Sequence, residues 1–148
     1  CAICGDGLSV DPNMIVFCER CDIAVHQHCY GSEVRPKRWE MEARGITHAE
    51  LPGGSLAVSC CLCPVRQGAF KRTVDGKAWA HVVCALWHEG PTVLNSDSPD
   101  TIDNLGLIRP ERWRAPCTIC GKVAGAVAKC NFGHCQCYFH PLCARRTG

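Results

Sequence analysis

The chain has 148 residues, 15 of them cysteine and seven histidine, and its 16 Lys and Arg exceed its 14 Asp and Glu by only two. So small a net charge provides no general field for nucleic acid, and no apolar run is long enough to span a bilayer. Cysteine at about a tenth of the residues is the level at which staples replace part of a hydrophobic core.

The first block, residues 1 to 39, carries Cys1 and Cys4, then Cys18 and Cys21, then His26 and Cys29. The pattern His-x2-Cys returns as His81 with Cys84 and as His140 with Cys143. A disulfide framework has no use for these histidines, whereas tetrahedral zinc takes thiolate sulfur and imidazole nitrogen together. Reduced, metal-bound thiols of the cytosol or nucleus are therefore expected. A single Cys-x2-Cys turn presents only two ligands to one metal, so each complete site must borrow a second pair from elsewhere in the chain. Met14 to Phe17 reads as a short strand. Asp6, Asp11, Glu19, Asp22 and Glu33 against Arg20 make this block mildly acidic.

Glu40 to Ser59 has ordinary composition and reads as a loop or a short helix over Glu40 to Arg44, followed by a turn at Pro52-Gly53-Gly54-Ser55. The second block then supplies one Cys-x2-Cys and one His-x2-Cys, which together complete a single zinc knuckle from Cys60, Cys63, His81 and Cys84. Cys61 is left over, as a small buried residue or a substitute ligand elsewhere. A short helix is predicted to start near His81, where Val82, Val83, Ala85 and Leu86 are good packing residues. His88 to Pro116 is rich in Pro, Asp, Asn and Ser, with one apolar stretch from Leu105 to Ile108. The third block contains Cys117 and Cys120, Cys130 and Cys135, then His140 and Cys143, with His134 expected to face solvent. Basic side chains gather in the later blocks: Lys71, Arg72, Arg109, Arg112, Arg114, Lys122, Lys129, Arg145 and Arg146. A small, zinc-stabilised, loop-rich α+β fold is expected, with no long amphipathic helix.

The run from Cys18 through His26 to Gly31 resembles a plant homeodomain (PHD) finger. A RING finger would place its histidine within about three residues of the preceding cysteine, where this chain has a gap of four. The runs HQHCYG, CCLCP, GAFKRT and WAHVVCALW resemble the PHD–zinc knuckle–PHD (extended PHD) module of chromatin regulators. They are similar to forms in bromodomain-PHD scaffold proteins, the Jade family, leukaemia-fusion partners and plant trithorax-like proteins. The resemblance covers nearly the whole chain and implies five segments. These are a PHD-type finger at 1–40, a linker or insertion at 41–59, a zinc knuckle at 60–88, a connector at 89–116, and a second, extended PHD finger at 117–148, truncated at its C-terminus.

The resemblance implies interleaved zinc sites. One ion would take Cys1, Cys4, His26 and Cys29, and another Cys117, Cys120, His140 and Cys143. Cys18 with Cys21, and Cys130 with Cys135, would each begin a further site. The second half of the last site would lie downstream, so the sequence is expected to be a fragment of a longer protein. Relatives carry a Trp-x-Cys-x2-Cys at the end of the first finger. Here Trp39 is followed by no cysteine before Cys60, so the Cys18/Cys21 site is completed by His48 or Cys61, is degenerate, or residues 40 to 59 reflect a misread exon boundary.

The functional implications follow from the same resemblance. The strand Met14, Ile15, Val16 and Phe17 would accept the histone H3 tail as an added antiparallel strand, tested by Val16→Pro. Glu19 and Asp22 would favour a cationic tail, and the backbone near Pro36 would receive the tail's amino terminus. With no Tyr or Trp on the strand to build an aromatic cage, unmodified lysine is preferred. Lys122, Lys129, Arg145 and Arg146 would touch DNA phosphates without sequence preference. The setting would be the nucleus, among the subunits of a chromatin-modifying complex. No enzyme is expected, because a catalytic zinc keeps an open position beside a general base. The alternatives are a RING-like ubiquitin ligase and a purely structural protein-interaction module. Loss of His81 is expected to disorder the middle block alone.

Overall fold

The computed structural model describes residues 1–18, 21–31, 54–93 and 101–147. Its organising unit is a hairpin that runs directly into a short helix, and among the described residues this unit occurs three times. In the first, β1 (Ile15–Phe17) pairs antiparallel with β2 (Ala24–His26), and α1 (Gln27–Tyr30) follows without a break. In the second, β3 (Phe70–Thr73) pairs with β4 (Trp79–His81), which leads into α2 (Val82–Leu86). In the third, β6 (Ala128–Lys129) pairs with β7 (Tyr138–Phe139), and α4 (Pro141–Thr147) begins just after His140.

The strand predicted at Met14 to Phe17 and the helix predicted near His81 both form. Equivalent helices at Gln27–Tyr30 and Pro141–Thr147 were not foreseen, because four to seven residues give too little periodicity to read. The helix read over Glu40 to Arg44 lies outside the described residues. Part of the turn read at residues 52–55 belongs to a 3₁₀ turn, Gly54–Ala57.

The connector is built into the fold. β5 (Thr101–Ile102) joins β3 in parallel, making a three-stranded sheet in the order β4-β3-β5, and Ile102 is fully buried. The apolar stretch Leu105 to Ile108 forms a 3₁₀ turn at Leu105–Leu107, which leaves Leu107 exposed and buries Ile108. α3 (Pro110–Arg114) starts on a proline, whose missing N–H and fixed φ suit a first helical position.

The three blocks share one apolar core. Ile3, Val25 and Tyr30 from the first join Leu62, Val82 and Val83 from the second and Val127 and Leu142 from the third in a single cluster. Hydrogen bonds cross the seams. The Tyr30 hydroxyl donates to Phe70 O at 2.6 Å, Ala126 N to Leu62 O at 3.1 Å, and Arg145 donates to the carbonyls of Ala2 and, at 2.7 Å, of Ile3. Gly125 sits at the second seam with φ +75°. A Cβ there would lie 2.5 Å from Leu62 O, so no other residue fits.

This continuity changes what His81 is expected to do. A structural zinc contributes about 10 to 16 kcal/mol of apparent binding free energy, comparable with or larger than the whole stability of a small domain. His81→Ala should therefore weaken all three blocks together, contrary to the local loss expected from the sequence. Amide hydrogen exchange would show it as reduced protection at Val25 and Val127 as well as at Val83.

His88, at the seam between α2 and the third block, is buried, and its Nε2 has no partner among the described residues. Burial first, and then the Arg112 guanidinium, pushes its pKa below the ordinary 6.5, against a hydrogen bond to the Ala126 backbone. The unfolded chain therefore takes up a proton at a pH where the folded chain does not. The stabilisation is complete above pH 6.5 and is lost as pH falls below it. Denaturant unfolding on either side of that value should show a smaller loss of stability in His88→Asn than in the parent chain.

Candidate metal centres

Each hairpin–helix unit presents its ligands by the same local rule. His26 and His81 end a strand and also cap the next helix, with extended backbone (φ −71°, ψ 145° and φ −64°, ψ 137°). Three residues later, one helical turn on, the cysteine side chain lies over the preceding turn and meets the imidazole. The facing Cys-x2-Cys loops bring the other two sulfurs. Gly5 and Gly121 each donate N–H to the carbonyl of the first cysteine, at 2.9 and 2.8 Å, with positive φ of 84° and 70°.

Three groups result: Cys1, Cys4, His26 and Cys29; Cys60, Cys63, His81 and Cys84; and Cys117, Cys120, His140 and Cys143. Within each, all four donor atoms lie within 4.8 Å of one another. Every histidine turns Nδ1 toward its cysteines. The Sγ···Nδ1 separations are 3.3 and 3.9 Å in the first group, 3.4 and 3.8 Å in the second, and 3.5 and 3.7 Å in the third. A tetrahedral zinc with sulfur at about 2.3 Å and nitrogen at about 2.0 Å has an S···N edge of about 3.5 Å. Geometry and donor set both fit zinc in a closed, structural site.

The thiols are prepared unequally. Backbone N–H groups of Leu62 and His81 both donate to Cys60 Sγ at 3.3 Å. Hydrogen bonds from Cys63 and Cys84 are the largest influence and hold the Cys60 thiol far below its ordinary range. Cys63 is pushed up to about 12, first by its bond to Cys60. Cys143, at the third site, is also pushed up to about 12, there by burial first. The knuckle's thiols release their protons as the cation arrives.

The outer contacts distinguish the three sites. His26 Nε2 lies 2.8 Å from Leu8 O and His140 Nε2 lies 2.7 Å from Ala124 O, the partnership that fixes a metal-bound imidazole. His81 Nε2 has no partner among the described residues. Packing holds that ring instead. Phe70 stacks on it at 4.0 Å, and Gly68, with φ +153°, closes its other side so tightly that a Cβ would lie 2.5 Å from His81 Cδ2.

Cys18 and Cys21 occupy the same kind of turn, with Asp22 N donating to Cys18 O at 2.8 Å and Asp22 at φ 57°. No third metal ligand joins them among the described residues, and His48 lies outside those residues. Buried Ser55 stands there instead. Burial raises the Cys21 pKa, but hydrogen bonds from the Ser55 side chain and backbone outweigh it and lower the net value. Cys61 is half-buried beside the knuckle, its thiol pushed up to about 11 by burial. Cys130 and Cys135 lie near each other in the third block, and His134 is exposed.

Of the expected tail-binding residues, Met14 and Phe17 are exposed and Ile15 and Val16 half-buried, while Asp22 is exposed. Glu19 and Pro36 lie outside the described residues. Lys122 and Arg146 are exposed and Lys129 is half-buried. Arg145 has its guanidinium engaged by Ala2 and Ile3, a brace that charge and spacing alone could not reveal.

Gly68→Ala tests the packing around His81. The added methyl must displace the ring, and the knuckle should lose its metal while the other two groups keep theirs. Metal analysis should fall by one zinc per chain, and thermal stability should drop by about 3 kcal/mol or more.

Two family models match the chain: "PHD-zinc-finger like domain" over residues 58–148 and "PHD-finger" over residues 12–40. The chain is 41% identical over 149 residues to a bromodomain-containing protein homolog of Drosophila melanogaster, covering all of this chain and 10% of that protein. It is 40% identical to human bromodomain and PHD finger-containing protein 3, covering 12% of it, and 34% identical to histone H3-lysine(4) N-trimethyltransferase ATX1 of Arabidopsis thaliana, covering 14%. The chain thus spans about a tenth of the length of these curated relatives. Among solved structures, zebrafish PHF14-PZP superposes with a TM-score of 0.75 at 29% identity, covering all of this chain and 75% of that one. With more than half of its length under that one family model, the chain belongs to the PHD-zinc-finger-like domain family, and its three ligand groups in series form a PHD–zinc knuckle–PHD module.

Proposed function

We propose that this chain is a nuclear chromatin-reader module that binds the unmodified histone H3 tail through its first finger and touches DNA through its second. Its segments follow the boundaries 1–40, 41–59, 60–88, 89–116 and 117–148. The observation that carries the reading is the outer edge of β1. Gln27 N donates to Met14 O at 3.1 Å and Cys18 N to Ile23 O at 3.0 Å, so the alternating pairs Ile15↔His26 and Phe17↔Ala24 point their backbone groups away from each other. Ala24 O and His26 N accordingly turn to Ala2 N and Cys1 Sγ. Among the described residues no third strand covers the outward groups of β1, and the outward N–H of Ile15 bonds only to Ser9 Oγ, at 2.9 Å. An extended peptide has an edge to add to.

Acidic Asp22 beside this edge suits a cationic tail, and the lack of Tyr or Trp on β1 suits a lysine without methyl groups. Lys122, Lys129 and Arg146 supply phosphate contacts, with Arg145 adding to them while it braces the first finger. The partners would be the H3 tail, DNA held weakly, and other subunits of a chromatin-modifying complex. Binding rather than catalysis fits ligand groups that each offer one ion four protein donors.

The register changes the test. Val16 exchanges its backbone bonds with Val25, so Val16→Pro would break the hairpin itself; Phe17→Pro removes an outward donor and leaves that pair intact. Phe17→Pro should weaken H3-tail binding roughly tenfold, the value of about one hydrogen bond, with zinc content unchanged. Acetylating the tail's amino terminus should weaken it also. Calorimetric titration with unmodified and trimethylated peptides checks the lysine preference. Tighter binding of the trimethylated form would overturn that preference, and no binding of either would leave the module a structural, protein-interaction one.

A further inference from the structure

The outer edge of β1 carries one obstruction. Ile15 and Phe17 are the residues of that strand whose backbone groups turn outward. The outward N–H of Phe17 meets no acceptor among the described residues, whereas Ile15 N donates to Ser9 Oγ at 2.9 Å. Ser9 is exposed and lies six residues back, in the loop that leads into the strand. A side-chain oxygen therefore stands where the carbonyl of an added strand would bond.

The loop that bears Ser9 is fastened on both sides of it. Leu8 N donates to Asp6 Oδ1 at 2.9 Å, and Leu8 O lies 2.8 Å from Nε2 of His26. Asn13 N donates to Val10 O at 2.8 Å, and Asn13 Oδ1 accepts from His28 N at 3.0 Å. These bonds hold the main chain, while Leu8 and Val10 are 68% and 54% exposed and add little packing. Ser9 can thus release Ile15 by turning about its own χ1, with the loop left in place.

We propose that Ser9 is a latch on the docking edge: its hydroxyl holds the Ile15 N–H in the free chain and must be displaced by any peptide strand that pairs there. Resting on the tail-binding reading of β1, this latch gives the edge a threshold. An edge with every N–H open accepts extended segments of many sequences, and proteins commonly blunt such edges with a covering loop. Here the cover is a single hydrogen bond. A strand that pairs with both outward residues gains a bond at Phe17, but at Ile15 it only exchanges one oxygen acceptor for another. The latch lowers the affinity of all strands equally, so a peptide with further contacts, such as a cation near Asp22, is the one that still binds.

Ser9→Ala removes the latch, and Ser9→Thr keeps its hydroxyl. In calorimetric titrations with the unmodified H3-tail peptide, Ser9→Ala should bind roughly threefold to tenfold tighter than the parent, the value of about one hydrogen bond, and Ser9→Thr within about twofold of it. In the free chains, the Ile15 amide should exchange with deuterium faster in Ser9→Ala by a similar factor, with zinc content unchanged. Equal or weaker peptide binding by Ser9→Ala would overturn the latch, and so would an Ile15 amide that exchanges at the parent rate. If Phe17→Pro weakens binding while Ser9→Ala and the parent bind equally, the tail-binding edge stands and the latch falls. No binding of the peptide by either chain overturns the tail-binding reading, and the latch with it.

Discussion

A histidine that ends a strand and a cysteine one turn into the next helix can face a common centre only while both the strand end and the helix start are held. The helices concerned have four, five and seven residues, lengths at which an isolated helix does not persist in water. The strands that precede them have two or three residues. Neither half can stand alone, so the bond between them has to come from the ligands. The ion thus fixes the backbone that presents its own donors, and folding and metal uptake become one event.

The knuckle occupies the middle of this arrangement in space as well as in sequence. Its sheet receives the Tyr30 hydroxyl on one side, and the Leu62 carbonyl receives Ala126 on another. The outer fingers also touch each other through Arg145. With each pair of blocks in contact, the edge of β1 and the basic residues of the third block are held at a fixed separation. A rigid spacing of this kind lets two weak contacts act at high effective concentration when both surfaces can be met at once.

The ligand groups could be read from spacing because zinc demands few residue types in a tight pattern, and the strand at Met14 to Phe17 could be read because β-branched and aromatic residues follow one another there. Other features left no trace of that kind. The carbonyls of Ala2 and Ile3 accept Arg145, yet a backbone acceptor is the same in every residue. Ser55 beside Cys21 and Gly68 against His81 are set by the closing of loops, which composition does not encode. The direction in which Val16 points its backbone depends on register, and a shift of one residue would have reversed it. Cys137 follows Cys135 at a Cys-x-Cys spacing unlike that of the other pairs, and spacing alone gives it no partner. Only the ladder between β6 and β7 places it opposite Cys130.

The brace from Arg145 to Ala2 joins positions 143 residues apart. During synthesis at about 5 to 20 residues per second, the arginine emerges roughly 7 to 30 s after the carbonyls it will hold. Over that interval the first finger has its four metal ligands but neither the Tyr30 anchor on Phe70, until β3 appears, nor the guanidinium clasp. The nascent finger can therefore take its zinc early and still leave its loops open to adjustment. Its final shape is set by α4, a helix made long after it.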